Sequence, residues 1–487
     1  MASTTMADRT VAGFEPARLA LVLGGLVFLV MMLLGLLMKA SQADLLPLDP
    51  RLFYEIMTAH GIGMVGTAGL TGIGILWHFL GRHVTLDERA FWAFLGLFLS
   101  GVVLILGAIF LGGSAAAWTF LYPLPAVSGG VWSPNVAVLY LAGLALVGVG
   151  FLLVHLECAR ALRAAWGGLG RALAWPLLFR GRQDPVPPPT VVAAAAVTIF
   201  DLLGLVFGAA VILISILEIL LAGVGLDPLV AKNMIYFFGH VFINATIYMA
   251  VIAVYEIVPD YTGRRWKTSR VFAGAWSVVL LFVMAVYPHH LLQDTVMPAW
   301  ALVAGQVLSY GSAVPLVAVT TLGLLSYLYR SGARLDLSAS LLVLGVAGWT
   351  AGVMPAWIDG IVAVNKVMHN TLWVPGHFHM YLILGQVAMV WGTLSWLAHG
   401  RNVAGLSGGD RLLLGSYVVG GAGLTLGFLV AGAASVPRRW AVHEPSWIVH
   451  DLPAVFFAIL VLVGAAGFFL RALPGLLTAA GATREAG

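Results

Sequence analysis

About twelve runs of roughly 19 or more mostly apolar residues constrain this chain more than any other feature in it. They lie roughly at 17–40, 56–80, 90–113, 132–156, 194–222, 232–258, 270–288, 300–328, 338–360, 371–398, 412–434 and 449–471. A backbone inside a bilayer has no water to bond to, so each run must satisfy its own N–H and C=O groups as a helix. The expectation is an all-α polytopic membrane protein. About twelve transmembrane helices form one bundle, with residues 1–487 as a single transmembrane domain. A hydrophobic share of 61% against 9% charged residues excludes an ordinary soluble domain.

The first run, Leu19–Leu37, is too long for the core of a signal peptide and reads as a retained helix. With the N-terminus inside, all but six of the 25 Lys and Arg residues fall on the cytoplasmic side. The six outside are Lys39, Arg51, Lys232, Lys366, Arg438 and Arg439, and the asymmetry is that of the positive-inside rule. A multi-pass protein of the cell's inner membrane, with both termini cytoplasmic and the lipid bilayer around it, is expected. The net charge of +4 then belongs to the inner loops. No basic stripe interleaved with aromatics points to nucleic acid. The single Cys158 excludes an internal disulfide, a Cys-x-x-Cys-His haem attachment and a two-cysteine copper centre. Any electrons must come from another polypeptide. The stretch Arg160 to Thr190 ends in Gln183-Asp184-Pro185-Val186-Pro187-Pro188-Pro189, a stiff connection between two halves of one bundle.

Within the apolar runs the histidines are the unusual residues. Asn370-Thr371-Leu372-Trp373-Val374-Pro375-Gly376-His377-Phe378-His379 opens the tenth run. Helical positions two apart point about 200° from each other, so His377 and His379 can serve two different centres. His60, His240 and the pair His289-His290 lie in or beside other apolar runs, where an unpaired imidazole is costly and usually functional. Four of the six lie within about two turns of the outer ends of even-numbered helices, and His289-His290 closes an odd-numbered one. All six therefore fall in one slab of the outer half. His240, His289 and His290 can surround one small metal, and His60, His377 and His379 supply three axial ligands for two haems. Gly61, Gly63, Gly66 and Gly69 thin the second helix, for close packing or for a flat macrocycle. Arg438-Arg439 reads either as a snorkelling pair or as a clamp on carboxylates, with His369 and Asp294 able to join it. His78, His83 and His155 read as interfacial imidazoles at inner helix ends, without a role.

On His60-Gly61, Phe238-Gly239-His240, His289-His290, Trp373-Val374-Pro375-Gly376-His377-Phe378-His379 and Pro437-Arg438-Arg439, the chain resembles the catalytic subunit of the haem-copper oxidase superfamily. The Asn-Thr-x-Trp-Val-Pro-Gly-His-Phe-His form is similar to the B-type members. The resemblance implies a low-spin haem on His60 and His379, a high-spin haem on His377, and a non-haem metal, copper or iron, on His240, His289 and His290. Arg438, Arg439 and His369 would meet haem propionates. A smaller subunit with a copper or haem c centre, or cytochrome c, would donate electrons.

The sequence departs from the oxygen-reducing pattern at Asn244, one turn after His240, where A- and B-type members carry a tyrosine linked to that histidine. Another branch places its tyrosine where Val283 stands here, and Tyr287 is expected to point away from the pocket. Familiar nitric oxide reductases carry a glutamate at the Asn244 position. Reducing two NO to N2O and water needs no tyrosyl radical, so the leading expectation is a nitric oxide reductase, with His240 and Asn244 at the reacting site. The alternative is a cytochrome c oxidase-type oxygen reductase, with or without proton pumping. A twelve-helix transporter is the remote one. Tyr255, with Thr320 and Thr321 of the eighth helix, is the expected inner proton path.

Overall fold

The computed structural model describes residues 15–117, 121–221, 223–294 and 296–485, with side chains to 477. The polar N-terminal segment with Arg9, and the Arg484 side chain, lie outside the described residues. Among the described residues, twelve helices are long and apolar enough to cross a membrane. They are α1 (Pro16–Gln42), α2 (Pro50–Leu80), α3 (Glu88–Phe110), α4 (Pro134–Trp166), α5 (Pro189–Leu220), α6 (Pro228–Thr262), α7 (Arg270–Leu291), α8 (Ala299–Leu328), α9 (Leu337–Asp359), α10 (Trp373–His399), α11 (Gly408–Ala433) and α12 (Pro445–Leu477).

Two helices begin before their apolar runs because polar residues nucleate them. Asp49 and Asp227 cap α2 and α6 through the amides of Arg51 (2.9 Å) and of Leu229 and Val230 (3.0 Å each). Pro50 and Pro228 follow at the first helical position, where a missing N–H costs nothing. His60 and His240 consequently lie about three turns below the helix start, not two. Two other helices are irregular where they carry histidines. The α-helical part of α7 ends at Ala285 and gives way to a tighter 3₁₀ turn over Tyr287–Leu291, as Pro288 requires. In α10 a wider π turn over Met380–Val387 follows His379.

Packing places the histidine-bearing helices at the centre. Over their most apolar windows, 83% of α6, 78% of α10 and 72% of α2 is buried, against 28% of α1 and 17% of α8. A polar staple joins the three. The Thr246 hydroxyl on α6 donates to Gln386 Oε1 on α10 (2.9 Å), and Gln386 Nε2 donates to the Ala68 carbonyl on α2 (2.9 Å). Both side chains are wholly buried and mutually satisfied, which fixes helix register as an apolar contact would not. α1 packs on α2 and on α12, which closes the bundle, while α3 packs on α4 and α5 on α6.

One expectation is corrected here. His155 is not interfacial: its side chain is fully buried, and Nε2 lies 2.8 Å from a carboxylate oxygen of the equally buried Asp201 on α5. α4 continues to Trp166, well beyond its predicted end near 156, because it is sheathed by α3 and α5. That extension draws His155 into the interior. His78 and His83 lie at the C-terminal end of α2 and just beyond it, paired with Glu15 and Glu256.

Candidate functional site

A cavity of about 1160 Å³ opens between the central helices, and His60, His240, His289, His290, His377 and His379 all line it. Two arrangements of imidazoles share that space.

The first is a facing pair. The rings of His60 and His379 lie 6.3 Å apart, centre to centre, and within 13° of parallel. Imidazoles bonded on opposite sides of one metal, at about 2 Å per bond, have ring centres roughly 6 Å apart. Each ring spends Nδ1 on a backbone carbonyl, His60 on Met31 (2.7 Å) and His379 on Pro375 (2.7 Å). Those bonds place the proton on Nδ1 and leave Nε2 as a free lone pair. Gly35 explains the close approach of α1, since a Cβ there would sit 2.9 Å from His60 Cε1. The pair fits an axially ligated haem.

The second is a convergent triad. His240 Nδ1 lies 3.1 Å from His290 Nε2, which lies 3.0 Å from His289 Nε2. All three ligand atoms fall within 4.8 Å of one another. Three neutral imidazoles cannot satisfy one another at such distances without opposing lone pairs, whereas a cation between them satisfies all three. The 3₁₀ turn brings the sequence neighbours His289 and His290 onto one point, and Ser309 Oγ at 3.0 Å holds His289 Nδ1. The donor set suits copper, iron or zinc.

His377 lines the same cavity and carries a buried Nδ1 with no hydrogen-bond partner. Its ring meets Tyr381, one turn on, at 5.7 Å. Asn244 stands outside the triad. Its Nδ2 donates to the His240 carbonyl (2.7 Å) and lies 3.4 Å from His240 Nε2, the ring edge opposite the convergent nitrogen. Tyr287 faces away, its hydroxyl on Asn233 (3.1 Å). Tyr236, Tyr248 and Tyr381 are the phenols that line the cavity, and Tyr236 stacks on His290 at 5.7 Å.

One rim of the cavity carries the cationic pair. The amide of Leu372 donates to the Val436 carbonyl (2.9 Å) and that of Arg438 to the Asn370 carbonyl (3.0 Å). Thr371 and Pro437 form the bridge between these segments. The Arg438-Arg439 loop is thereby tied to the segment that leads into α10. Both arginines line the cavity and are partly buried, and desolvation pushes the Arg438 guanidinium down to about 10. Burial, with Arg438 next, pushes His369 down to about 3, so it presents a neutral ring to the cavity with an unpartnered Nδ1. Asp294 does not join this rim: its carboxylate is held by Lys232 at 2.6 Å.

Toward the C-terminal end of α6, the Tyr255 hydroxyl meets Thr320 Oγ1 at 2.7 Å, both buried. Thr321 turns the other way, to Thr350 on α9 (2.7 Å). Tyr248 shares the Tyr255 face of α6, two turns nearer the cavity. Sequence reading passed over it, although its spacing of four from Asn244 was visible. It also passed over Gly35, Ser309 and Gln386, whose partners lie on helices remote in sequence.

A family model described as Cytochrome C and Quinol oxidase polypeptide I matches residues 15–470. The cytochrome c oxidase subunit 1 of Thermus thermophilus is 28% identical over 276 residues, 52% of this chain and 49% of that protein. The chain thus spans about half the length of that relative. The cytochrome c oxidase polypeptide 1 of Halobacterium salinarum is 22% identical over 438 residues, 85% of this chain and 69% of the relative. The quinol oxidase subunit 1 of Bacillus subtilis is 24% identical over 394 residues, 74% and 56% respectively. Among solved structures, a heme-copper terminal oxidase dimer superposes with a TM-score of 0.75 at 19% identity, over 95% of this chain and 84% of that one. That likeness concerns the fold.

Proposed function

Because this chain belongs to the cytochrome c and quinol oxidase polypeptide I family, we propose that it is the catalytic subunit of a respiratory membrane reductase. The observation that carries the reading is the coexistence, in one cavity, of a near-parallel histidine pair and a three-histidine convergence beside His377. His60 and His379 would hold a low-spin haem, His377 a high-spin haem, and His240, His289 and His290 the second metal. Bound there, these groups supply the electrons and the open metal positions at which a small gas is reduced. The chain's own residues do the rest. Met31 and Pro375 carbonyls fix the tautomers of the haem-facing rings, and Ser309 orients His289. Arg438, Arg439 and the neutral His369 offer charge and a ring nitrogen to propionates. Tyr255 and Thr320 would pass protons inward to the cavity, with Tyr248 between.

For the gas, the comparisons back dioxygen better than the nitric oxide favoured by the sequence: the relatives named above are cytochrome c or quinol oxidases. An oxygen reductase with asparagine at 244 must draw its fourth electron from another group, and Tyr236 and Tyr381 are cavity-lining phenols that meet candidate ligands. Nitric oxide is the second reading, favoured by Asn244 itself. An amide bonded to its own helix carbonyl cannot supply an electron and a proton for O–O cleavage, and reduction of NO asks for neither from that position. The deciding experiment gives the purified, prereduced complex O2 or NO in turn. Sustained O2 consumption to water supports the first reading. N2O formation with only marginal O2 uptake supports the second. Preparations lacking haem would overturn both.

A further inference from the structure

One group of buried charges in the outer half belongs to neither histidine set. Met31, Gly35 and Lys39 recur at four-residue spacing on α1, so they form one stripe, and that stripe lines the cavity beside His60. Met31 fixes His60 and Gly35 makes room for it. Lys39 puts a cation there. Only 5% of Lys39 is exposed, and its Nζ donates to Asp451 Oδ1 on α12 (2.5 Å) and to Gln42 Oε1 (2.9 Å). Nζ also stands 5.0 Å from the centre of the Phe428 ring, whose edge-on neighbour at 5.4 Å is His379. Asp451 is fully buried and takes a second bond from His443 Nδ1 (2.6 Å). His443 Nε2 is buried without a partner. Gln42 Nε2 donates to the Trp440 carbonyl (2.7 Å), which ties the group to the loop that carries Arg438 and Arg439.

Burying an ammonium and a carboxylate together adds little to stability compared with apolar residues of the same volume. A stability role therefore gives a weak reason for the pair. Its orientation gives a better one, because the positive end lines the cavity and the negative end lies behind it on α12.

We propose that Lys39, held in place by Asp451, is a positioning charge that raises the reduction potential of the group ligated by His60 and His379, so that electrons enter the cavity at that pair. This rests on the low-spin haem reading above. In a medium of low dielectric, a cation at this range favours the state with the additional electron.

The test is an optical redox titration of the low-spin band in the whole complex, with the high-spin band as internal reference. Lys39→Met should shift the low-spin midpoint negative. Asp451→Asn should shift it positive, since the cation then loses its counter-charge. The double variant should return towards wild type, and Lys39→Arg should keep the wild-type value. Opposite signs in the two single variants are the expected signature. Unchanged midpoints, or shifts of the same sign, would overturn the inference while leaving the haem assignment intact. If the single variants fail to assemble, the double variant and Lys39→Arg carry the test: a midpoint below wild type in the double variant with the wild-type value in Lys39→Arg supports it, since the cation lines the cavity and the carboxylate lies behind it, and a wild-type midpoint in the double variant or a large shift in Lys39→Arg overturns it. Absence of a low-spin band from the wild type would instead remove the reading on which the inference stands.

Discussion

His60 and His379 each have one ring nitrogen committed to a carbonyl and the other free to face a partner ring. Replacing either by Ala should abolish the low-spin haem band in reduced-minus-oxidised spectra while the high-spin band persists. A normal low-spin spectrum in both variants would refute the pairing. The triad predicts the converse. His240→Ala, His289→Ala or His290→Ala should retain both haem bands, lose turnover by at least about 100-fold, and lose the non-haem metal on elemental analysis. Loss of both haems would mark these residues as structural. Asn244 bears on chemistry in a different way. It touches the edge of His240 that, by resemblance, a tyrosine joins in oxygen-reducing relatives, and an amide cannot make that bond. The peptide containing His240 should therefore run at its unmodified mass, and Asn244→Tyr should gain oxygen turnover only if mass spectrometry finds a new link to His240.

At the level of elements, the site depends on the register of three helices that are far apart in sequence. Gln386 is the residue that sets it, by bonding α10 to both α6 and α2. Gln386→Leu removes both interhelical hydrogen bonds, while the Thr246 hydroxyl keeps the Ile243 carbonyl (2.8 Å) and the Ala68 carbonyl keeps Thr71 (3.2 Å), so the loss is about 0.5–1.5 kcal/mol per bond. It should lower the temperature at which the haem bands disappear on heating, with the haems still bound at 25 °C. A wild-type melting profile would show that packing alone holds the register. The lower half of α6 bears a second prediction. Tyr255→Phe removes the hydroxyl that meets Thr320 and should slow multiple turnover about tenfold or more, in line with typical proton-transfer contributions. Gas binding to the reduced haem, followed by flash photolysis, should be unchanged. If protons come from the outer side instead, the substitution is silent. Proton uptake in reconstituted vesicles then gives the side directly.

For the molecule as a whole, the single cysteine limits how electrons arrive. Cys158 is fully buried on α4 and has no second cysteine with which to build a copper or haem c centre. Activity with a soluble donor should therefore require a partner subunit carrying such a centre. Full activity of the isolated chain with cytochrome c would contradict this. Trp440 is exposed next to the arginine pair, on a loop braced by Gln42 and by the strand-like contact to Asn370.

The twelve helices, and the positions of the six histidines along them to within about a turn, were legible in the sequence. Hydropathy and helical geometry are local, and a bilayer leaves the backbone little choice but to be helical. Spacing also separated His377 from His379, because angle around a helix follows from residue count alone. The pairing of His60 with His379 came only through the family resemblance, and the choice of Nδ1 on His240 but Nε2 on His289 and His290, with the turning of Thr321 away from Tyr255, was not legible at all. Each depends on which faces of remote helices meet, and so does the burial of His155 against Asp201. Composition marked Lys39 only as one of a few outer cations. The tertiary structure alone placed its ammonium against Asp451 and beside His379, since a charge buried in a bundle is paid for by a partner that the sequence does not place next to it.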